Sequence, residues 1–325
     1  MDTGSRSQGL PGLCAAYLLA ALALLYLSYR LPRLLPGDFL TALYSGAEAS
    51  LPPELKEAYR NQAEALITRG FVGYLNDFFT LDWGRSLAFR KPVRELIFTA
   101  LPWTLLLLGS AHLLSTLVGF FAGVESAWRK GSLPDRLGVS LMTILEGIPE
   151  IGSGVLLLLV FSLSLGWFPA AGAETVYSDF TGWQRFLDVL HHLALPLGTL
   201  FLAYLPGNFL LSRAGMLYAI NAPYMLTAKA KGNSPLRQRY LHAARNALLP
   251  VVTRFGVRLA SLLTRALTVE ALYSYPGLGS LLCNAIALRD LPLISGIVLV
   301  TSLAVLSITL ILEFAYQKLD PRLRA

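Results

Sequence analysis

The chain has 325 residues, of which 54% are hydrophobic and only 14% charged, and a formal net charge of +7. A soluble domain carries about 25% charged residues, so the composition argues against a soluble enzyme and against a disordered chain. Two cysteines, Cys14 and Cys283, are too few for a disulfide framework, and no C-x-x-C pair is present to hold a metal.

A bilayer core about 30 Å thick takes roughly 20 mostly apolar helical residues to cross. Six segments meet that length. In chain order they are Leu13 to Leu31, Pro102 to Val124, Leu137 to Leu165, Leu190 to Leu211, Leu248 to Leu272 and Leu293 to Tyr316. Pro149 breaks the third, and Pro196 and Pro206 lie inside the fourth. Proline is tolerated within a span because neighbouring helices and water satisfy the freed carbonyls. The first segment is longer than a signal-peptide core, and Ser28-Tyr29-Arg30 lacks the small-x-small cleavage pattern, so an uncleaved helix is expected.

Lys and Arg in the short loops set the orientation. From Arg213 to Arg245 the chain holds Arg213, Lys229, Lys231, Arg237, Arg239 and Arg245, and no acid occurs between Asp188 and Glu270. This stretch is expected to be cytoplasmic. Arg129, Lys130 and Arg136 mark the preceding basic loop as cytoplasmic too, as do Lys318, Arg322 and Arg324 in the tail. The Gly166–Val189 loop sets Arg185 against Glu174, Asp179 and Asp188 and is expected outside. The fold expected is therefore an all-α integral membrane protein of six transmembrane helices, with both termini cytoplasmic. Three regions follow: residues 1–31, a tail and first helix; 32–101, outside; and 102–325, the remaining five helices with a cytoplasmic loop at 221–250.

In the outside segment, Leu51-Pro52-Pro53-Glu54 resembles a helix start. The aromatic run Phe71, Tyr74, Phe78, Phe79, Trp83 suits either an interfacial belt on a small helical cap or a surface that receives a partner. The basic excess is explained by topology. Binding to nucleic acid needs basic residues gathered on a soluble fold with stacking aromatics, and none is expected here.

Motifs for self-contained chemistry are absent. Gly is never followed by Lys, so there is no phosphate-cradling G-x-x-x-x-G-K-[ST], and H-E-x-x-H and G-x-S-x-G are missing. His191 and His192 are adjacent and diverge by about 100° on a helix, a poor chelating pair. Charges inside spans are costly and mark pathways or buried pairs. Glu146 and Glu150, four residues apart, are expected on one helical face; Arg265 and Glu270 lie in the fifth span, and Glu313 in the sixth. Arg265 is a natural partner for one of these acids. Gly119 and Gly123 form a G-x-x-x-G suited to close helix packing.

Pro223 can open a helix, and Tyr224 to Lys231 are strong formers that end at Gly232, a residue suited to a helix C-terminus. A second short basic helix is expected from Pro235 to Asn246. Such a pair suits either anionic headgroups or a rigid knob inserted into a partner.

The run Tyr224-Met225-Leu226-Thr227-Ala228-Lys229-Ala230-Lys231-Gly232, followed by His242 and Arg245-Asn246-Ala247-Leu248-Leu249-Pro250, resembles the EAA loop of ABC-importer permeases. Arg33-Leu34-Leu35-Pro36-Gly37-Asp38, Asp82-Trp83-Gly84-Arg85-Ser86 and Tyr275-Pro276-Gly277-Leu278-Gly279 are similar to motifs of the dipeptide/oligopeptide/nickel permease family, first-subunit type, as are Arg289-Asp290 and Leu319-Asp320-Pro321-Arg322. The resemblance covers nearly the whole chain in order.

It implies the type I importer permease fold, in the plasma (inner) membrane of a bacterium. The implied partners are a second homologous permease, two ABC ATPase subunits and an extracytoplasmic solute-binding protein. No cofactor belongs to this chain, since ATP and Mg bind the partner ATPase. Tyr224, Ala228, Lys229, Ala230, Lys231 and Gly232 would form the ATPase-coupling element. Glu146, Glu150, Arg265 and Glu270 are candidates for the translocation pathway of a peptide, nickel, polyamine or other cationic solute. The family usually has small apolar or aromatic residues where this chain has Glu150, and Gly near Arg265. Asn233 and Pro235 are also departures. An ion-gradient-driven transporter that uses the intramembrane charges is the alternative; an integral-membrane enzyme lacks a catalytic constellation.

Overall fold

The computed structural model describes the backbone of residues 10–30 and 70–319, with residues 34, 57 and 61 in addition. Within it, the side chains of residues 10, 11, 13–15, 256–266, 312, 313 and 315–319 are not described. The expectations for Arg33–Asp38, the helix after Pro52, the C-terminal motif and the side chains of Arg265 and Glu313 lie outside the described residues.

The regular structure among the described residues is helical, with one isolated bridge, Arg85 to Pro92, in place of any sheet. This is what an apolar environment selects, because a helix satisfies its own backbone polar groups. The helices are α1 (Leu10–Arg30), α2 (Phe71–Phe79), α3 (Val93–Trp128), α4 (Leu133–Glu146) and α5 (Glu150–Leu157). They continue with α6 (Gly182–Ile220), α7 (Pro223–Ala230), α8 (Arg245–Leu272), α9 (Leu278–Ala287) and α10 (Leu291–Leu319). α5 runs on as a π-helix over Leu158–Ser164, and a second π-helix, Arg237–Ala244, leads into α8.

Three helices, Val93–Trp128, Gly182–Ile220 and Leu291–Ile311, are long and apolar enough to cross a membrane among the described residues. α3 has 36 residues and α6 has 39. At about 1.5 Å per residue both exceed the ~30 Å hydrocarbon core and project beyond it. Arg213 therefore sits on the extension of α6 rather than in a loop.

The third expected span is two helices. α4 and α5 meet at 99° across Gly147-Ile148-Pro149. Proline has no N–H to continue α4 and steers the residue before it away from helical geometry. Glu146 and Glu150 consequently do not share a helical face, contrary to their spacing. The second short helix expected at Pro235–Asn246 starts at Pro235 but does not end at Asn246: its π-helical part, Arg237–Ala244, joins α8 without a break.

Two compact units are present. The first joins the described residues up to Trp103 to those from Gly277 onward, and the second is Thr104–Pro276. In the first, α1 packs on α2 through Tyr26, Tyr29, Phe71 and Tyr74, and Ser28 Oγ lies 2.9 Å from the Tyr74 hydroxyl. Val93, Ile97, Leu278, Leu293 and Ile297 form its buried core. Two motif segments meet here. Asp290 is fully buried and accepts hydrogen bonds from Ser86 Oγ (2.5 Å) and the Ala88 N–H (3.0 Å).

In the second unit, α3 and α6 approach at the G-x-x-x-G. A Cβ on Gly123 would stand 2.6 Å from the Phe209 carbonyl oxygen and 2.8 Å from Ser212 Cβ. One on Gly119 would stand 2.8 Å from Asn208 Cβ. Without a hydrophobic driving force between helices in lipid, such backbone proximity is a main source of attraction. Gly109, on the same helix, has no such neighbour within 4 Å. Gly123→Ala is therefore expected to destabilise the purified protein by about 1–3 kcal/mol through overpacking. Gly109→Ala should leave stability within about 0.5 kcal/mol. Thermal unfolding in detergent compares the two, and equal effects would contradict the close approach.

Candidate functional site

The candidate coupling element is α7. Ala222 precedes it in extended geometry, Pro223 occupies the first turn, and Lys231 caps the far end. Gly232 follows at φ +70°, left-handed backbone that glycine adopts without strain, and its N–H donates to the Lys229 carbonyl at 2.9 Å. The structure thus has the Gly-bounded helix that the residues predict.

Its two faces differ. Met225 and Ala228, three positions apart, are buried. They pack on Val124 and Ala127 of α3, Met216 and Ala219 of α6, and Ala243, Ala244 and Ala247 where the π-helix enters α8. Alanine on so many sides lets the backbones come close, so α7 is held by its base. Tyr224, Leu226, Lys229, Ala230, Lys231 and Gly232 are exposed. Of the six expected coupling residues, Ala228 alone is buried, and it anchors the element rather than presenting a surface.

Two charged clasps brace the surrounding helix ends. Asp135, buried in the first turn of α4, receives Arg213 of α6 as a two-pronged pair, Nε at 2.7 Å and Nη2 at 2.9 Å. Ser126 Oγ at 2.5 Å and the Gly131 N–H at 2.9 Å complete its shell. The matched fork geometry makes this among the stronger kinds of ion pair. In the second clasp, Glu125 of α3 accepts from Arg239 Nη1 at 2.6 Å and from the Tyr240 hydroxyl at 2.5 Å. Arg239 also lies 5.0 Å over the Trp128 ring. Donation to the Glu125 carboxylate raises the Tyr240 phenol above its ordinary range. Arg213 and Arg239 appear in the sequence as topology signals; their acids stand 78 and 114 positions away, and no local pattern reveals the pairing.

The expected pathway residues disperse. Glu146 is exposed at the end of α4. Glu150 is half-buried at the start of α5, and Thr268 of α8 donates to its Oε1 at 3.4 Å. Glu270 is fully buried near the end of α8. Arg265 lies outside the described side chains. A buried knot the residues did not announce lies nearby: the Tyr273 hydroxyl donates to the Gly154 carbonyl at 2.9 Å and stands 3.0 Å from Thr199 Oγ1. It ties α5 and α6 to the residue after α8, and the Gly154 position leaves no room for a side chain, since a Cβ would meet Leu272 at 2.7 Å. His112 has a structural place, with Nε2 3.1 Å from the Phe255 carbonyl oxygen and its ring stacked on Phe255.

Residues 115–325 match the model of a family described as binding-protein-dependent transport system inner membrane component. The chain is 33% identical over 318 residues to a di/tripeptide transport system permease protein, DppB, of Pseudomonas aeruginosa (strain UCBPP-PA14), across 92% of this chain and 93% of that protein. It is 34% identical over 311 residues to the oligopeptide transport system permease protein AppB of Bacillus subtilis (strain 168), covering 93% and 94%. With the glutathione transport system permease protein GsiC of Escherichia coli (strain K12) it shares 32% identity over 293 residues, 90% of each.

Removing one partner of a buried ion pair leaves the other charge uncompensated. Asp135→Asn is expected to lower stability by about 3 kcal/mol. A loss well under 1 kcal/mol in thermal or denaturant unfolding would show that Arg213 is adequately solvated without its acid.

Proposed function

The chain belongs to the binding-protein-dependent transport system inner membrane component family, and from that premise we propose that α7 is the element through which a separate ATPase drives it. It is a membrane permease component of an ABC transporter and not itself an enzyme. The observation that carries the reading is the two-faced geometry of α7, with Met225 and Ala228 packed in an alanine-rich base and Tyr224, Leu226, Lys229 and Lys231 exposed. A knob fixed at its base moves the helices beneath it when it is pushed. Membership in this family sets aside the ion-gradient alternative.

In this reading α1, α3, the bent pair α4–α5, α6, α8 and α10 are six crossings of a bacterial inner membrane. Both termini and α7 face the cytoplasm, and residues 32–101 face outside. The sorting of basic residues to the Arg213–Arg245 stretch supports this. The assembly comprises a second related permease, two ATPase subunits and an extracytoplasmic solute-binding protein. Relatives named for di/tripeptides, oligopeptides and glutathione support a peptide or peptide-like substrate. Glu150, half-buried at the bend between α4 and α5, is the residue we assign to the pathway; the full burial of Glu270 supports a packing role instead.

Gly232→Pro removes the N–H that closes α7 and forbids φ +70°. ATPase recovered with the affinity-purified permease should fall at least tenfold, with membrane insertion unchanged; recovery at the wild-type level would contradict docking through α7. Glu150→Gln should change uptake of cationic peptides more than of neutral ones while the complex still assembles. Equal uptake across a panel of charged peptides would remove Glu150 from the pathway.

A further inference from the structure

An open groove of about 320 Å³ lies beside the second clasp, between the cytoplasmic half of α3 and the π-helix that enters α8. Phe120 and Phe121 of α3 line it together with Tyr240, Leu241, Arg245 and Leu248. Phe121, Leu241 and Leu248 are each two-fifths or more exposed. The groove belongs wholly to one compact unit, Thr104–Pro276.

We propose that this groove seats an anionic phospholipid of the cytoplasmic leaflet, with an acyl chain along Phe121, Leu241 and Leu248 and the phosphate on Arg245. The inference rests on the orientation proposed above. Depth comes first. Phe120 and Phe121 precede the end of α3 by about 11 Å at 1.5 Å per residue. A headgroup layer is roughly 5–8 Å deep. With Trp128 and Arg129 at headgroup level, the two rings lie at the top of the hydrocarbon, and Leu248 lies one turn deeper than Arg245. Tyr240 and Trp128 stand where amphipathic aromatics collect.

Charge comes second. Glu125, the acid beside the groove, is already engaged by Arg239, Tyr240 and Arg129. No acid occurs between Asp188 and Glu270. Arg245 is exposed and forms no ion pair among the described residues. An anion from outside the chain is its complement, and basic pockets at the cytoplasmic ends of spans suit lipid phosphates.

Shape comes third. Helices pack on one another in membranes through small residues. On α3 those residues, Gly119 and Gly123, already face α6. The groove presents bulky rings and branched chains around an arginine, which suits an acyl chain better than a second helix.

The test uses the whole transporter, reconstituted in nanodiscs of equal parts phosphatidylglycerol and phosphatidylethanolamine and released into mild detergent for native mass spectrometry. The wild type should retain phosphatidylglycerol over phosphatidylethanolamine by about fivefold, the factor that one basic residue near an anionic surface contributes. Arg245→Gln should reduce that preference to parity, and Arg245→Lys should keep most of it. Equal retention of the two lipids by the wild type, or an undiminished preference in Arg245→Gln, overturns the proposal. Orientation is read separately, in a Cys14→Ser, Cys283→Ser background because Cys283 is free and exposed: Lys130→Cys should label only after the cytoplasmic face is opened. Labelling from outside intact cells would overturn the orientation and the lipid site together.

Discussion

The contact between α3 and α6 at Gly119 and Gly123 is the constraint on which the larger unit depends. With 2.6 Å between a would-be Cβ and a carbonyl oxygen, the two longest helices touch backbone to backbone. Everything at one end of the unit is built across that contact. Arg213, which takes Asp135, and Val124, which packs with Met225, both lie next to it, following Ser212 and Gly123. A side chain at Gly123 would part the helices and loosen both the clasp and the base of α7.

Charge in this chain is scarce and sorted, and the structure gives the sorting a second role. Two of the basic residues in the acid-free stretch also meet specific acids. Arg213 and Arg239 each close on a carboxylate from an element far away in sequence. Lys229 and Lys231 remain exposed on α7. Some cations therefore hold the framework, and others stay exposed at its surface. Asp290 in the other unit follows the same economy of polar groups: a buried carboxylate there gathers a hydroxyl and a backbone N–H from the hairpin before α3. These bonds bring the end of the 82–86 motif against the 289–290 motif, with Ser86 as one donor and Asp290 as the acceptor.

Features with local causes were legible in the residues. Pro223 and Gly232 delimit α7 because proline pre-sets the first turn and glycine tolerates the left-handed exit. Pro149 breaks the third apolar segment for an equally local reason. The errors came from extending local periodicity past such a break. Glu146 and Glu150 are four apart, yet a 99° bend separates them. The helix expected at Pro235–Asn246 starts at Pro235 but has no C-terminus of its own, because the π-helix passes its hydrogen bonding on to α8. The Tyr273 knot and the Asp135 clasp were not legible at all. Their partners are 74 to 119 positions apart, and nothing in the neighbourhood of a tyrosine or aspartate announces a distant partner.

By itself the sequence determined the material of this protein: apolar helices long enough for a bilayer, basic residues gathered in one acid-free stretch, and a short helix between proline and glycine. Those properties follow from composition, periodicity and turn chemistry, which act over a few residues. Only the tertiary structure decided which face of α7 is anchored, which arginines are engaged and which, like Arg245, are left exposed. Burial and pairing depend on what another helix brings to the same place, and helix packing in lipid is set by fit between surfaces rather than by any pattern along one of them.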